Sequence, residues 1–195
     1  MKTSITLLTV LLCAAFSVAQ KPTTKPIIVA DSTFGKEIIP FPIDWAPKLT
    51  LEGYEELTFF PNWSDSTNEE FWTLVMAWKI NTTTTIPLYE VQFNIKHYFY
   101  NLMIPNHWAQ EFPAPLLSFS NTNTDKDVYN TGKLRVFDGF HTGKVIDLNL
   151  HLTQTLCKDQ QTAIIICRIS PKPFEHAIWK QLQAFKINPE QCQPN

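Results

Sequence analysis

The chain has 195 residues, of which 44% are apolar, 13% aromatic and 17% charged, and 16 basic against 18 acidic side chains give a formal net charge of −2. A chain of this length buries roughly 70% of its extended surface and can build its own core, and the composition excludes a disordered tail, a disulfide-knotted miniprotein and a collagen-like rod. Lysine and arginine are scattered with no block of five like charges, so neither a nucleic-acid partner nor a polybasic membrane surface is expected.

Lys2, the 12-residue apolar stretch 5–16 and the small residues Ser17, Val18 and Ala19 together predict a signal peptide over residues 1–19, cleaved before Gln20. That stretch covers about 18 Å as a helix against the roughly 30 Å of a bilayer core. The mature chain is therefore expected to be secreted or periplasmic and to carry no transmembrane segment. Cys13 belongs to the leader, where bulky Leu12 stands in place of the small residue of a bacterial lipobox.

Residues 20–33 read as a flexible leader, and 34–195 as a single α+β domain. Pro40, Pro42 and Pro47 argue against a regular helix or central strand before residue 48. Phe34, Ile38, Ile39, Phe41 and Trp45 are too apolar to be left in water and are expected to wrap onto the domain. Strands follow over 55–60 and 71–80, separated by a loop rich in turn formers. Asn62-Trp63-Ser64 and Asn81-Thr82-Thr83 would accept N-linked glycans in a eukaryotic source.

Leu88, Val91, Ile95, Phe99 and Leu102 recur at helical spacing, with Pro87 in the first turn and Pro105 beyond the end. A strand over 116–120, a polar loop over 121–130 and a strand after Lys133 come next. Residues 146–156 alternate leucine or isoleucine with polar residues, the period of a half-buried antiparallel strand, and 162–169 form its hairpin partner. Phe174, Ile178, Leu182 and Phe185 mark a short final helix. The expected fold is an antiparallel sheet of about six strands with two covering helices, in the order β-β-α-β-β-β-β-α.

Thr-Gly-Lys occurs at 131–133 and 142–144, but Asp127 and Phe137 stand where a phosphate loop needs its first glycine. Gly132 and Gly143 are read instead as turn residues permitting positive φ. Asp138-Gly139 is a third turn signal, and the reversal falls either there or at 141–143.

A two- or four-residue turn within 158–161 places Cys157 opposite Thr162 and Cys167 opposite Leu152. The two cysteines then stand five residues apart along the ladder, about 17 Å, whereas a disulfide needs Cα atoms within about 7 Å. The expectation is a Cys157–Cys192 bridge and a free Cys167 on the apolar face.

The same register puts His151 opposite Arg168, with Asp147 two pleats away. These three are the candidate catalytic residues, His151 as general base, if they line a cleft; the other reading is the solvated face of a sheet. The histidines 97, 107, 141, 151 and 176 show no zinc-ligand spacing, and neither metal nor cofactor is expected. Glu55-Glu56 and Glu69-Glu70 point to opposite faces of any strand and form no acid–base pair.

Tyr54, Phe59, Phe60, Trp63, Phe71, Trp72 and Trp78 crowd into 25 residues. Most are expected in the core, with Trp63, inside a polar turn, as the candidate exposed ring for binding a protein or carbohydrate partner.

The stretches Gly53-Tyr54-Glu55-Glu56 through Pro61-Asn62-Trp63, Glu70-Phe71-Trp72, and Ser170-Pro171-Lys172-Pro173 through Trp179 resemble a set of uncharacterised exported proteins of the Bacteroidota over about residues 40–185. The leader is similar to secretory leaders of that group, and Asp31-Ser32-Thr33 and Asp65-Ser66-Thr67 resemble its short O-glycosylation motif. The element order resembles the PsbP/Mog1-like fold, with a cystatin- or NTF2-like sheet as the other candidate. The resemblance implies no activity. From the residues alone, the leading reading is a non-catalytic binding or interaction module, and the alternative is a small exported hydrolase built on His151.

Overall fold

Residues 162–170 hold five β-branched or leucine-like side chains in nine positions, too apolar for a strand with one wet face. In a computed structural model of the chain, which describes residues 24–123 and 128–193, this run is the middle strand of the sheet and is buried along its whole length. The strands are β1 (Gly35–Phe41), β2 (Gly53–Phe59), β3 (Leu74–Asn81), β4 (Leu116–Asn123), β5 (Val128–Asp138), β6 (Lys144–Cys157) and β7 (Thr162–Ser170). They form one antiparallel sheet among the described residues, in the order β1-β2-β3-β7-β6-β5-β4.

Helix α1 (Leu88–Met103) covers one face, and the short helix α2 (Ile178–Ala184) covers the other. The period of the apolar residues dictates this sandwich. On the α1 side, Val91, Ile95, Phe99 and Met103 meet Leu148, Leu150 and Leu152 of β6 and Met76 and Trp78 of β3. On the α2 side, Ile178, Trp179 and Leu182 meet Val75, Ala77, Ile164 and Ile166. Strands β3 and β7 serve both layers, hence their apolar residues at odd and even positions alike. No helix among the described residues is long and apolar enough to cross a membrane.

The β6–β7 hairpin has the expected register, with Cys157 opposite Thr162, His151 opposite Arg168 and Leu152 opposite Cys167. Cys157 is bonded to Cys192, and Cys167 is a buried free thiol. The bridge pins the carboxy-terminal tail to the turn between β6 and β7.

Three expectations are corrected. The sheet has seven strands among the described residues, not about six, because residues 35–41 form β1 ahead of the expected order. A strand survives there despite Pro40 because β1 is an edge, where a missing N–H breaks no inner ladder. The polar run 121–130 is largely strand, since Asn121 to Asn123 pair with Val128 to Asn130. Gly132 is no turn residue but lies mid-strand in β5, where an added Cβ would stand 2.6 Å from the Phe119 ring. Gly143 does take positive φ, at 64°, and the reversal spans both turn signals. Asp138 anchors it by accepting hydrogen bonds from the backbone N–H groups of Phe140, His141 and Thr142.

Within the segment read as a flexible leader, Ile27 and Ile28 are fully buried against the α2 layer, and Ile28 bridges to Ile187. The carboxylate of Glu56, itself fully buried, accepts the backbone N–H groups of both and pairs with Lys36 at 3.4 Å.

Candidate functional site

Odd-numbered side chains of β1 and β2 and even-numbered ones of β3 face α1, which places Glu37, Ile39, Leu57, Phe59, Leu74 and Met76 on one wall. Helix α1 supplies Tyr98, Phe99 and Leu102 opposite, at the spacing of one helical face. Between them lies a cavity of about 550 Å³. Two loops close one end: residues 60–73 bring Trp63 and Trp72, and the β5–β6 reversal brings Phe140 and His141.

The rings touch in series. Trp45 packs edge-on to Tyr98 at 5.1 Å between centroids and Tyr98 edge-on to Phe99 at 5.5 Å, while Phe99 meets Trp72 at a tilt at 6.4 Å. Trp63 meets Phe59 at 4.6 Å and His141 at 4.9 Å. A volume of several hundred cubic ångströms, mostly apolar walls and a few polar groups is the usual form of a small-molecule site.

Trp72 is the unusual member. It is buried, yet its backbone has φ of 49°, in the left-handed region that bulky side chains avoid. The loop fixes this conformation: Trp72 N–H donates to the Trp63 carbonyl at 2.8 Å, and Phe60 N–H to the Thr73 carbonyl at 3.2 Å. The indole Nε1 of Trp72 and the Nε2 of His141 are both buried and have no hydrogen-bond partner within the protein. A buried donor left unpaired costs about 1–3 kcal/mol, which the fold bears at Trp72; the His141 nitrogen donates or accepts according to its tautomer.

Glu55 lies beside the opposite end. Its carboxyl is fully buried, accepts a hydrogen bond from Trp78 Nε1 at 2.9 Å and sits against the Tyr98 hydroxyl. Burial, the largest influence, pushes its pKa up to about 7, against the lowering effect of those two donors; the nearby Glu37 carboxylate adds to the rise. Burial and the Glu55 carboxyl also hold the Tyr98 phenol well above its usual range.

The residues singled out from the sequence lie elsewhere or differently. Arg168 is buried, donating from Nε to the Leu182 carbonyl at 2.9 Å and from Nη2 to the Phe185 carbonyl at 3.0 Å. It closes the carboxy-terminal end of α2, where orphan carbonyls need donors. His151, its ladder partner, packs on Tyr129 with centroids 4.3 Å apart. Asp147 is exposed and pairs with Arg135 on β5 at 3.2 Å. The ladder brings His151 and Arg168 together, but the guanidinium is committed to backbone carbonyls and Asp147 to another strand. Trp63, expected to face water, is half-buried at the cavity mouth.

Sequence reasoning missed Trp45, Tyr98, Phe140 and His141 as site residues, because four separate segments converge to make the cavity. Trp72 and Trp78, expected in the core, are both buried on the α1 side, Trp72 from the loop that precedes β3. A second, more open groove of about 450 Å³ runs along the outer side of α1, past Tyr89, Phe93 and Tyr100. Among the described residues no group of three or more His, Cys, Asp or Glu side chains is placed to hold a metal ion. Comparison with known protein families, curated proteins and solved structures found no match.

Proposed function

We propose that this is an exported, non-catalytic binding protein whose small, largely apolar ligand occupies the cavity between α1 and β1–β3. The observation that carries the reading is the cavity itself, about 550 Å³ walled by aromatic and aliphatic side chains from β1–β3, α1 and two loops. Strained backbone concentrates at ligand sites, and Trp72, with φ of 49°, is one of the residues lining this cavity. The apolar leader supports export, and a Cys157–Cys192 disulfide fits an oxidising compartment. Binding is favoured over hydrolysis because Arg168 and Asp147 are engaged away from His151, and among the described residues no serine, threonine or cysteine lines the cavity.

The test uses N-phenyl-1-naphthylamine, an uncharged dye that brightens in apolar sites. Saturable one-to-one binding is expected, and Leu102→Trp, which fills the cavity from α1, should abolish it while the circular dichroism spectrum is kept. Dye binding that is absent, or that survives Leu102→Trp, overturns the reading.

A further inference from the structure

The mouth of the cavity has two unlike lips. One carries Glu37 of β1 and the loop 60–73 with Asp65, Glu69 and Glu70. The other is made by the segment after α1 and the β5–β6 reversal, which give Asn106, Phe140 and His141 to the cavity wall. On this second lip Ile104, Trp108 and Phe140 are exposed, Trp108 by 67%. Single apolar side chains on a surface need no explanation, but three on two touching segments beside one opening form a patch.

The second lip also lacks exposed acid. Residues 102–110 hold no Asp, Glu, Lys or Arg, and in 138–144 the one carboxylate, Asp138, is fully buried and accepts the N–H groups of Phe140, His141 and Thr142. Lys144 is the one exposed permanent charge of the two stretches. Close packing fixes the shape: an added Cβ on Gly139 would stand 2.8 Å from the Asn106 carbonyl oxygen, and one on Gly143 2.5 Å from the Trp108 ring. Trp108 is thus seated on the reversal while most of its indole stays in water.

Exposed Trp, Phe and Ile with a flanking Lys and no acid suit the headgroup region of a bilayer, where an aromatic ring buries its apolar body and keeps its polar edge wet. The contact is apolar rather than polybasic, in keeping with the scatter of Lys and Arg along the chain. The opening beside the patch favours lipid over a protein as the occupant, because an apolar ligand partitions into lipid and the patch brings the mouth to it. Resting on the cavity reading above, we infer that this lip docks on a phospholipid bilayer and that the ligand passes between bilayer and cavity at the contact. The acidic lip, with Glu37, stays toward water.

Flotation with phosphatidylcholine vesicles, with and without phosphatidylglycerol, tests the docking on the disulfide-bonded chain freed of its leader. The chain should float with both. Trp108→Ser, which alters no residue of the cavity wall, should weaken vesicle binding at least about tenfold and keep both the circular dichroism spectrum and the affinity for N-phenyl-1-naphthylamine. Tyr89→Ser, as exposed but on the outer side of α1, should leave flotation unchanged. Stopped-flow transfer of the dye from vesicles should quicken in proportion to vesicle concentration and lose that dependence in Trp108→Ser. Absent flotation, flotation that survives Trp108→Ser or falls equally with Tyr89→Ser, or a transfer rate independent of vesicle concentration overturns the inference. If the dye still binds in any of those cases, the cavity reading stands. If the dye does not bind while flotation depends on Trp108, the cavity reading and the transfer fall and the docking surface remains.

Discussion

Glu55 and Glu56 are neighbours in β2, both fully buried, and their carboxyl groups lie on opposite faces of the sheet. One accepts from Trp78 in the α1 layer, and the other from Ile27 and Ile28 in the α2 layer. Strand alternation alone separates them. Two acidic residues in sequence thus do unrelated work, one beside the cavity and one fastening the amino-terminal segment.

The Glu55 carboxyl makes stability depend on pH in an unusual direction. Burial raises its pKa from 4.5 to about 7, so the folded state holds the proton more tightly than the unfolded state. Its contribution is fully present below pH 4.5 and is lost as pH rises through about 7. The loss is about 3 kcal/mol across that window. Urea denaturation between pH 4.5 and 8 should show this decline, and Glu55→Gln, whose amide stays neutral, should flatten it. An unchanged slope in the variant would assign the decline to other groups.

Removing the Glu56 carboxylate leaves two buried backbone donors unpaired. Glu56→Ala should cost about 2–4 kcal/mol. Hydrogen exchange should locate the damage: the amides of Ile27 and Ile28 lose protection first, while those of β7 keep theirs. Uniform loss throughout the sheet would contradict a local clasp.

Arg168 distinguishes structure from catalysis. Arg168→Met keeps the apolar length of the side chain but strands the Leu182 and Phe185 carbonyls, and should cost about 2–4 kcal/mol. N-phenyl-1-naphthylamine affinity should be unchanged, because the cavity is on the other face. Dye affinity that falls with Arg168→Met, measured well below the unfolding transition, would tie the two faces together.

The thiol inventory is checked by labelling. The native chain, assayed without its leader, should give no reaction with a thiol reagent, and one thiol after denaturation, that of Cys167, whose pKa burial pushes up to about 12. Cys192→Ser should cost about 3–4 kcal/mol by the loop-closure entropy of a 35-residue separation. Peptide mapping that joined Cys157 to Cys167 would refute the hairpin register.

Much of the fold was legible because it rests on local period. The alternation through Leu148, Leu150 and Leu152 set the face and register of β6, and the spacing of Val91, Ile95 and Phe99 set that of α1. The pairing of Cys157 with Cys192 followed from the same parity. Strand β1 was hidden because Pro40 is a sound objection to an inner strand and none to an edge. The polar face of β6 is exposed at Asp147 and Thr155 and half-buried at His151, whereas its ladder partner Arg168 is covered by α2 and the turn after it. The cavity was least legible: Trp45, Trp72, Tyr98 and His141 come from four segments, and no window of sequence holds more than one wall of it.

Strand β7 is near the carboxy-terminal end of the chain yet lies in the middle of the sheet, between β3 and β6. Until Thr162 to Ser170 are in place, β1–β3 and β4–β6 are two separate ribbons, each with an unpaired inner edge. The sheet can therefore be completed only at its centre, and a chain growing from a ribosome cannot close it until residue 170 has been made.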